Sequence, residues 1–195
     1  MLLASWLTRD WLSLVIADSL ICDANAAPSD AILVENFDPS YLTFETATRL
    51  RNAGVASRVL VPVARSGDDD GVSRVSLGVT QLMADIAHLG SIEIVPIREV
   101  EPISLNAAGD ILRFMERERI RSVVVVTPLL RSRRSALVYE ATLGAAGIAV
   151  RCEPVRDGSE KQDWTRTWHG VQNASEQWVK LQYYRFYVLP SKTPS

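Results

Sequence analysis

Three arginines lie within four positions of the sequence, directly after an apolar run. The stretch Val123–Ser135 reads VVVVTPLLRSRRS, and its arginines are Arg131, Arg133 and Arg134. Guanidinium groups this close together repel one another unless an anion, an acidic side chain or bulk water offsets their charge. Each guanidinium presents a planar set of donors that matches phosphate or carboxylate. The spacing therefore indicates an anion-binding site at the start of a helix.

A second interpretation of the same arginines stays open. In it the side chains point outward, and one or two of them pair with acids such as Glu140 or Glu153. Surface pairs of this kind contribute about 0–1 kcal/mol to stability. In the first interpretation Arg134 and Arg131, one helical turn apart, point into the site, whereas Arg133 faces solvent or an acid.

Other polar residues follow the predicted strands. In open α/β sheets, ligands bind beyond the carboxyl ends of the strands. The predicted ligand-binding residues are Glu35 and Asn36 after the first strand, Ser66 after the second, Ser104 and Asn106 after the third, and Thr127, Arg131 and Arg134 after the fourth. No catalytic residue is assigned.

The remaining candidates for chemistry are weaker. Asp68, Asp69 and Asp70 offer oxygen ligands for a hard cation, but three adjacent acids face one ion only in a dedicated loop, so we predict a solvated loop. His88 and His169 are isolated and lack the spacing of metal ligands. The motifs GxSxG, GxGxxG and GxxxxGK[ST] are absent. The sequence predicts no metal site and no cofactor.

The candidate residues lie within a sequence in which short apolar runs alternate with helical patterns. The predicted strands are Ala31–Glu35, Arg58–Val63, Ile92–Ile97, Ser122–Thr127 and Ile148–Glu153. The predicted helices cover Pro39–Asn52, Val72–Leu89, a segment beginning near Ser104, a segment that begins with the arginines and ends at Gly147, and Lys161–Tyr187. Such alternation is typical of a parallel sheet wrapped by crossover helices.

The predicted fold class is therefore α/β. We expect a three-layer Rossmann-like sandwich with a five-stranded, mainly parallel sheet, plus an N-terminal and a long C-terminal helix. The unbroken apolar run of the fourth strand predicts that Val123–Val126 is buried on both faces of the sheet.

Composition narrows the class of protein. The chain has 195 residues, of which 47% are hydrophobic and 23% charged, and its formal net charge is −2. These values exclude a disordered chain and an overall nucleic-acid binder, so any positive patch is local. One domain is predicted over residues 28–190, after a lead of residues 1–27 and before a tail of residues 191–195. The oligomeric state is not indicated.

The N-terminus is apolar but interrupted by charge. Arg9, Asp10 and Asp18 lie within it, which makes the segment a poor transmembrane helix and a poor signal peptide, although Ala24–Ala26 imitates a cleavage site. The spacing of its leucines predicts an amphipathic helix over Leu3–Ile21. We expect that helix to pack on the domain, with contact to a membrane surface as the alternative.

Two further patterns concern packing. Cys22 and Cys152 match no metal-ligand spacing, and we expect two free, buried thiols, a disulfide being the alternative in an exported chain. Five apolar residues of the last helix recur at helical spacing and are expected to pack in the core. They are Trp164, Trp168, Val171, Trp178 and Leu181.

From Leu14 to Tyr187 the chain resembles the DUF218 family, which includes the YdcF-like, SanA-like and ElyC-like proteins of bacterial envelopes. The family's opening strand is similar to CDANAAPSDAILV at Cys22–Val34, and its middle signature, S-x-N-T-x-E-N, to Ser104–Asp110. Its late signature, V-T-S-x-Y-H-x-x-R-[AS], is similar to Val126–Ser135. Its closing Tyr-containing helix is similar to WVKLQYYRFY.

The chain departs from the family at the positions best suited to catalysis. The glycine pair after the first strand is replaced near Glu35–Phe37, and the Ser-Gly-Gly after the second matches at best Arg65–Gly67. Ala107, Gly109 and Asp110 replace the Thr, Glu and Asn of the middle signature, and Arg131 stands in place of the His. The retained positions are Ser104, Asn106, Thr127 and Arg134.

The resemblance implies a protein of the cell envelope that binds a small anionic or phosphorylated ligand at the strand ends, with a cytoplasmic location as the alternative. Arginine does not act as a base in place of histidine. The sequence therefore leaves open whether the ligand is bound without turnover or converted by a different transferase or hydrolase mechanism. A rival interpretation is a non-catalytic interaction protein with a vestigial site, whose first or last helix docks on a partner or a membrane.

Overall fold

One sheet of five strands organises the chain. The computed structural model describes residues 11, 13–37, 40–66, 71–156 and 163–192. The strands are β1 (Ala31–Val34), β2 (Arg58–Ala64), β3 (Glu93–Ile97), β4 (Ser122–Pro128) and β5 (Ala149–Val155). Their order is β3-β2-β1-β4-β5, and every neighbouring pair is parallel. The predicted fold class is confirmed, and the largest error in a predicted strand boundary is at the end of β5, placed at Glu153 instead of Val155.

The apolar run of β4 is buried on both faces, as predicted. Val123 and Val125 belong to one hydrophobic cluster, whereas Val124 and Val126 belong to the other. Successive side chains of a strand point to opposite faces, so a run of β-branched residues without alternation requires a cover on each side.

Helices supply both covers. The described helices are α1, which includes residues 13–20, α2 (Tyr41–Asn52), α3 (Arg74–Ile86), α4 (Ile103–Arg117), α5 (Ser132–Thr142) and α6 (Trp168–Tyr183). Helices α2 and α3 pack on one face through residues such as Phe44 and Ala84. Helices α4 and α5 pack on the other through residues such as Ile111 and Val138. The result is the three-layer arrangement expected from the sequence.

The order of the strands creates a switch point between β1 and β4. From β1 the chain moves outward through β2 to β3, then crosses back so that β4 pairs with the other side of β1. The loops after β1 and β4 therefore leave the sheet in opposite directions and open a crevice at the carboxyl ends of these strands.

The C-terminal region differs from the single long helix expected. A 3-10 turn, Asp163–Arg166, precedes α6, and a π-helical turn, Tyr184–Val188, follows it. The expectation that its tryptophans pack in the core is wrong for Trp168 and Trp178, which are exposed. Helix α6 buries only one narrow face, formed by Ala174, Gln177 and Leu181.

The described part of α1 packs against α6. Leu20 lies in one apolar cluster with Ala174 and Leu181, and the Trp164 indole Nε1 donates to the Ser13 carbonyl oxygen at 3.3 Å. Leu3 and Leu7, on which the helix prediction also depended, lie outside the described residues. Across the described ranges, no helix combines the length and the apolar character needed to cross a bilayer.

The two cysteines form a disulfide, so the expectation of two free thiols is wrong. Cys22 and Cys152 are both buried and their Cα atoms lie 6.4 Å apart. The segment before β1 runs beside β5, since the Asn25 amide donates to the Cys152 carbonyl at 3.0 Å and the Cys152 amide donates to Asn25 Oδ1 at 2.7 Å. Sequence spacing does not reveal a contact across 130 residues.

Replacing both cysteines, as Cys22→Ser with Cys152→Ser, should lower the free energy of unfolding by about 3–5 kcal/mol, because the bond closes a long loop in the unfolded chain. Urea denaturation measures the loss. Dithiothreitol should reduce the stability of the parent to that of the variant and leave the variant unchanged. Equal stability of the oxidised parent and the variant would contradict a structural role for the bond.

Candidate anion-binding site

A buried carboxylate stands at the switch point. Glu35 follows β1 directly and is 2% exposed. The Thr127 hydroxyl, near the end of β4, donates to Glu35 Oε2 at 2.5 Å, and the Ser135 hydroxyl donates to the same oxygen at 2.7 Å. Arg131 Nε lies 3.4 Å from Oε2. Glu35 thus joins β1, β4 and the start of α5 through one side chain.

Arg134 lies deeper than Arg131 and has only neutral hydrogen-bond partners. It is 4% exposed. Its Nη1 donates to the Ser104 hydroxyl at 2.8 Å, and its Nη2 donates to Gln177 Oε1 at 3.0 Å. In the described part of the chain no carboxylate lies within 4.0 Å of its guanidinium, and its Nε has no hydrogen-bond partner. Burial and the neighbouring charge of Arg131 lower the pKa of Arg134.

Aromatic rings fix the planes of both guanidinium groups. The Arg131 guanidinium carbon lies 4.8 Å from the centroid of the Phe37 ring, and that of Arg134 lies 5.5 Å from the centroid of Tyr184. The Tyr184 hydroxyl in turn accepts a hydrogen bond from the Ser104 amide at 3.1 Å. Stacking and hydrogen bonding together remove most of the rotational freedom that an arginine loses on binding a ligand.

The two arginines form the floor of a cavity of about 390 Å³. Ser104 of α4 contributes to the floor, and Gln177, Tyr183 and Tyr184 form the wall on the side of α6. A volume of this size lies within the range that holds a small organic ligand. The cavity therefore lies where the topology of the sheet places a ligand site.

Charge is distributed unevenly over the cavity. Its floor is cationic, whereas the acidic residues that line it, Glu99 and Glu101, are exposed at the rim. At the rim Lys180 pairs with Glu176 at 2.5 Å, and that hydrogen bond lowers the pKa of Glu176. Water screens rim charges far more than buried ones, so the arginines set the preference of the interior for an anion.

The structure brings together only part of the predicted set. Ser104, Arg131 and Arg134 line the cavity, and Glu35 and Thr127 lie behind Arg131 as the cluster that holds it.

The other three predicted residues are not among those that line the cavity. The Asn36 side-chain amide donates to Thr80 of α3 at 2.8 Å, and that of Asn106 donates to the Val100 carbonyl at 2.8 Å. Ser66 is exposed. The position of a residue directly after a strand predicts correctly at which edge of the sheet it lies. It does not predict the direction in which its side chain points.

Gln177, Tyr183, Tyr184 and Phe37 were not among the predicted site residues. Gln177, Tyr183 and Tyr184 line the cavity because α6 and the π-helical turn after it lie across the carboxyl edge of the sheet, whereas Phe37 reaches the cavity from the segment after β1. One signal for two of them is present in the sequence: Gln177 and Tyr184 are polar residues at helical spacing on the same face as the apolar Leu181. Polar groups on a buried helix face need partners, and here the partners are Arg134 and Ser104.

Arg133 lies apart from the cavity, as the spacing on the helix predicts. Its side chain is partly exposed and its Nη1 lies 3.9 Å from Asp23 Oδ2. Glu153, suggested as a partner of these arginines, pairs instead with Arg49 at 3.2 Å. The three arginines therefore divide into two that face the cavity and one that faces solvent and an acid.

No metal centre is found among the residues described. Groups of three or more His, Cys, Asp or Glu side chains that could hold an ion are absent from that part of the chain. The acidic run Asp68–Asp70, predicted to be a solvated loop, lies outside it, as does Pro39, the predicted first residue of α2.

Comparison of the sequence with protein-family models and with curated proteins gives no match. The resemblance to the DUF218 family therefore stays a prediction, and the geometry of the cavity is the basis for a proposal on function.

Replacing Glu35 with Gln should destabilise the fold by about 2–3 kcal/mol. The amide removes the charge beside Arg131 and turns one acceptor into a donor that faces two hydroxyl groups. Urea denaturation measures the change, with Glu116→Gln on the exposed face of α4 as the matched control, expected to change stability by less than about 0.5 kcal/mol. A Glu35→Gln protein as stable as its control would mean that the carboxylate is not needed there.

Proposed function

We propose that this protein binds a small anionic, phosphorylated ligand in the cavity floored by Arg131 and Arg134, and that it does so as a DUF218-like protein of the cell envelope. One observation carries the proposal: Arg134 is a buried cation with neutral partners. A buried charge is costly unless an opposite charge lies close to it. Glu35 offsets Arg131, and an anion in the cavity offsets Arg134.

The geometry of the donors favours a tetrahedral or planar oxyanion. Arg134 is held by Ser104 and Gln177 and stacks on Tyr184, so its fork is oriented before a ligand arrives. Preorganised guanidinium groups bind phosphate and carboxylate through paired, charge-assisted hydrogen bonds. A cavity of about 390 Å³ leaves room for an organic group attached to the anion.

On this proposal the ligand is bound without being converted. Arg131 occupies the position where the DUF218 signature has histidine. The hydroxyl groups of Thr127 and Ser135 are buried and donate to Glu35, so neither is presented to a ligand. Among the described residues, the floor of the cavity thus supplies hydrogen-bond donors and positive charge, and the carboxylates that line the cavity, Glu99 and Glu101, lie at its exposed rim.

A location outside the cytoplasm is supported by the Cys22–Cys152 disulfide. Structural disulfides form and persist mainly in oxidising compartments. Alkylation of free thiols in intact cells, followed by denaturation, reduction and labelling with a second reagent, tests the location. Both cysteines carrying only the second label supports it, whereas both carrying the first would contradict it.

Replacing Arg134 with Ala should weaken binding about ten- to a hundredfold, since charge-assisted hydrogen bonds worth about 1.5–3 kcal/mol are lost. A thermal-shift screen with inorganic phosphate, sugar phosphates and nucleotides selects the probe, and calorimetry gives its Kd. Arg133→Ala is the matched control, because the same charge is removed from the same helix outside the cavity, and its Kd should stay within about twofold of the parent.

The variant Arg134→Lys separates loss of binding from loss of fold. Lysine keeps the charge but not the planar fork, so an intermediate affinity is expected. Equal affinity of parent and Arg134→Ala for the selected probe would refute the proposal, as would the absence of any shift across the whole screen.

A further inference from the structure

An apolar stripe runs along the exposed side of α6 and the turn that follows it. Its members are Trp168, Val179, Tyr183, Phe186 and Tyr187, which are 74%, 60%, 46%, 71% and 68% exposed. Their spacing places Trp168, Val179 and Tyr183 along one face of α6, and Phe186 and Tyr187 continue the stripe into the π-helical turn. On that face the exposed polar residues Gln172, Ser175 and Glu176 separate Trp168 from the other members. The apolar surface is therefore continuous from Val179 through Tyr183 to Phe186 and Tyr187, over a rise of roughly 12 Å. A continuous exposed apolar surface of this kind marks a binding site.

The stripe passes the wall of the cavity at Tyr183. Tyr183 lines the cavity floored by Arg134, and its ring stacks on that of Tyr187 with a centroid distance of 5.4 Å and an interplanar angle of 23°. Phe186 lies next to Tyr187 in the same turn. A cationic interior and an open apolar surface therefore meet at one side chain, Tyr183.

We infer that the ligand is an amphiphile whose phosphate lies on Arg134 and whose hydrocarbon chain lies over Tyr183, Tyr187 and Phe186. The inference rests on the proposed function and adds the chemical class of the attached group. A hydrocarbon chain needs an apolar surface longer than one ring, which the stripe supplies. Tyrosine and tryptophan suit the boundary between hydrocarbon and water because each joins an apolar ring to a polar group.

Cationic side chains flank the stripe. Lys180, which pairs with Glu176, and Arg185 lie on neighbouring positions of the same helical segment. Long cationic side chains beside an apolar surface keep their charge in water or on an anionic headgroup while their carbon chains lie on the apolar surface. Stacking of a nucleobase would need only the Tyr183–Tyr187 pair and would leave the exposed Phe186 ring without a role.

A series of alkyl phosphates tests the inference directly. Methyl, butyl and octyl phosphate carry the same anion and differ only in chain length. Full burial of one methylene contributes about 0.8 kcal/mol, and contact on one side roughly half of that, or about twofold in Kd per methylene. Octyl phosphate below its critical micelle concentration should therefore bind at least about tenfold tighter than methyl phosphate in calorimetry.

Substitutions in the stripe should weaken the contact with the hydrocarbon chain of the ligand and leave the affinity for its phosphate group unchanged. Phe186→Ser with Tyr187→Ser should remove most of the advantage of octyl over methyl phosphate and leave the Kd of methyl phosphate unchanged, because neither residue lines the cavity. Val75→Ser on α3 is the matched control, since Val75 is also exposed and apolar but lies on the opposite face of the sheet. Arg134→Ala should weaken both ligands.

The possible outcomes separate this inference from the proposed function. Equal Kd values for methyl and octyl phosphate overturn the inference and leave the anion site standing, whereas no binding of either overturns both. Equal binding of octyl glucoside and octyl phosphate, unaffected by Arg134→Ala, overturns the inference as well. Tighter binding of AMP than of ribose 5-phosphate, together with no dependence of Kd on alkyl length, overturns it too. That result would mean that the tyrosine rings stack on a nucleobase and not on a hydrocarbon chain.

Sedimentation with lipid vesicles distinguishes an amphiphile in a bilayer from a soluble amphiphile. Sedimentation with phosphatidylcholine vesicles containing phosphatidic acid, but not with phosphatidylcholine alone, supports a ligand presented in a bilayer. Binding of octyl phosphate without sedimentation supports a soluble amphiphile of the same chemistry. Sedimentation with both kinds of vesicle, unchanged in the Arg134→Ala protein, counts against the inference because the anion then has no role.

Discussion

The carboxylate of Glu35 joins the two central strands to the helix that carries the arginines. It accepts hydrogen bonds from Thr127 and Ser135, lies beside Arg131, and is almost fully buried. An acid without these partners would be too costly to bury between two strands. The same bonds fix the start of α5 relative to the sheet, so the direction in which Arg131 and Arg134 point depends on one side chain at the end of β1.

The site is completed from the far end of the chain. Helix α6 supplies Gln177 to Arg134, and the π-helical turn that follows it supplies Tyr184 to both Arg134 and Ser104. Its other contacts tie it to α1 through Leu20, Ala174 and Leu181. Because α6 packs through a narrow face, most of its surface is left exposed, and that surface carries the aromatic stripe beside the cavity.

Two opposite demands meet in this arrangement. Burying Arg134 among neutral groups lowers stability, whereas a cationic floor closed off from water strengthens any contact with an anion. The segment before β1 is held by two further contacts. The disulfide joins it to β5, and the Cys22 amide donates a hydrogen bond to the Ser132 hydroxyl at 2.9 Å. The lead segment is thus linked to the first turn of α5, one residue from the arginines.

The sequence by itself determined the fold class, the five strands to within two residues at each end, and the side of the sheet on which the arginines lie. It did so because hydrophobic periodicity and the alternation of strands and helices are local properties. Spacing on a helix also separated Arg133 from Arg131 and Arg134. Only the tertiary structure decided that Glu35 holds Arg131, that Cys22 reaches Cys152, and that Gln177 and Tyr184 complete the cavity. The residues of these pairs lie between 43 and 130 positions apart in the chain. Their contacts arise from the packing of whole elements, which no local pattern specifies.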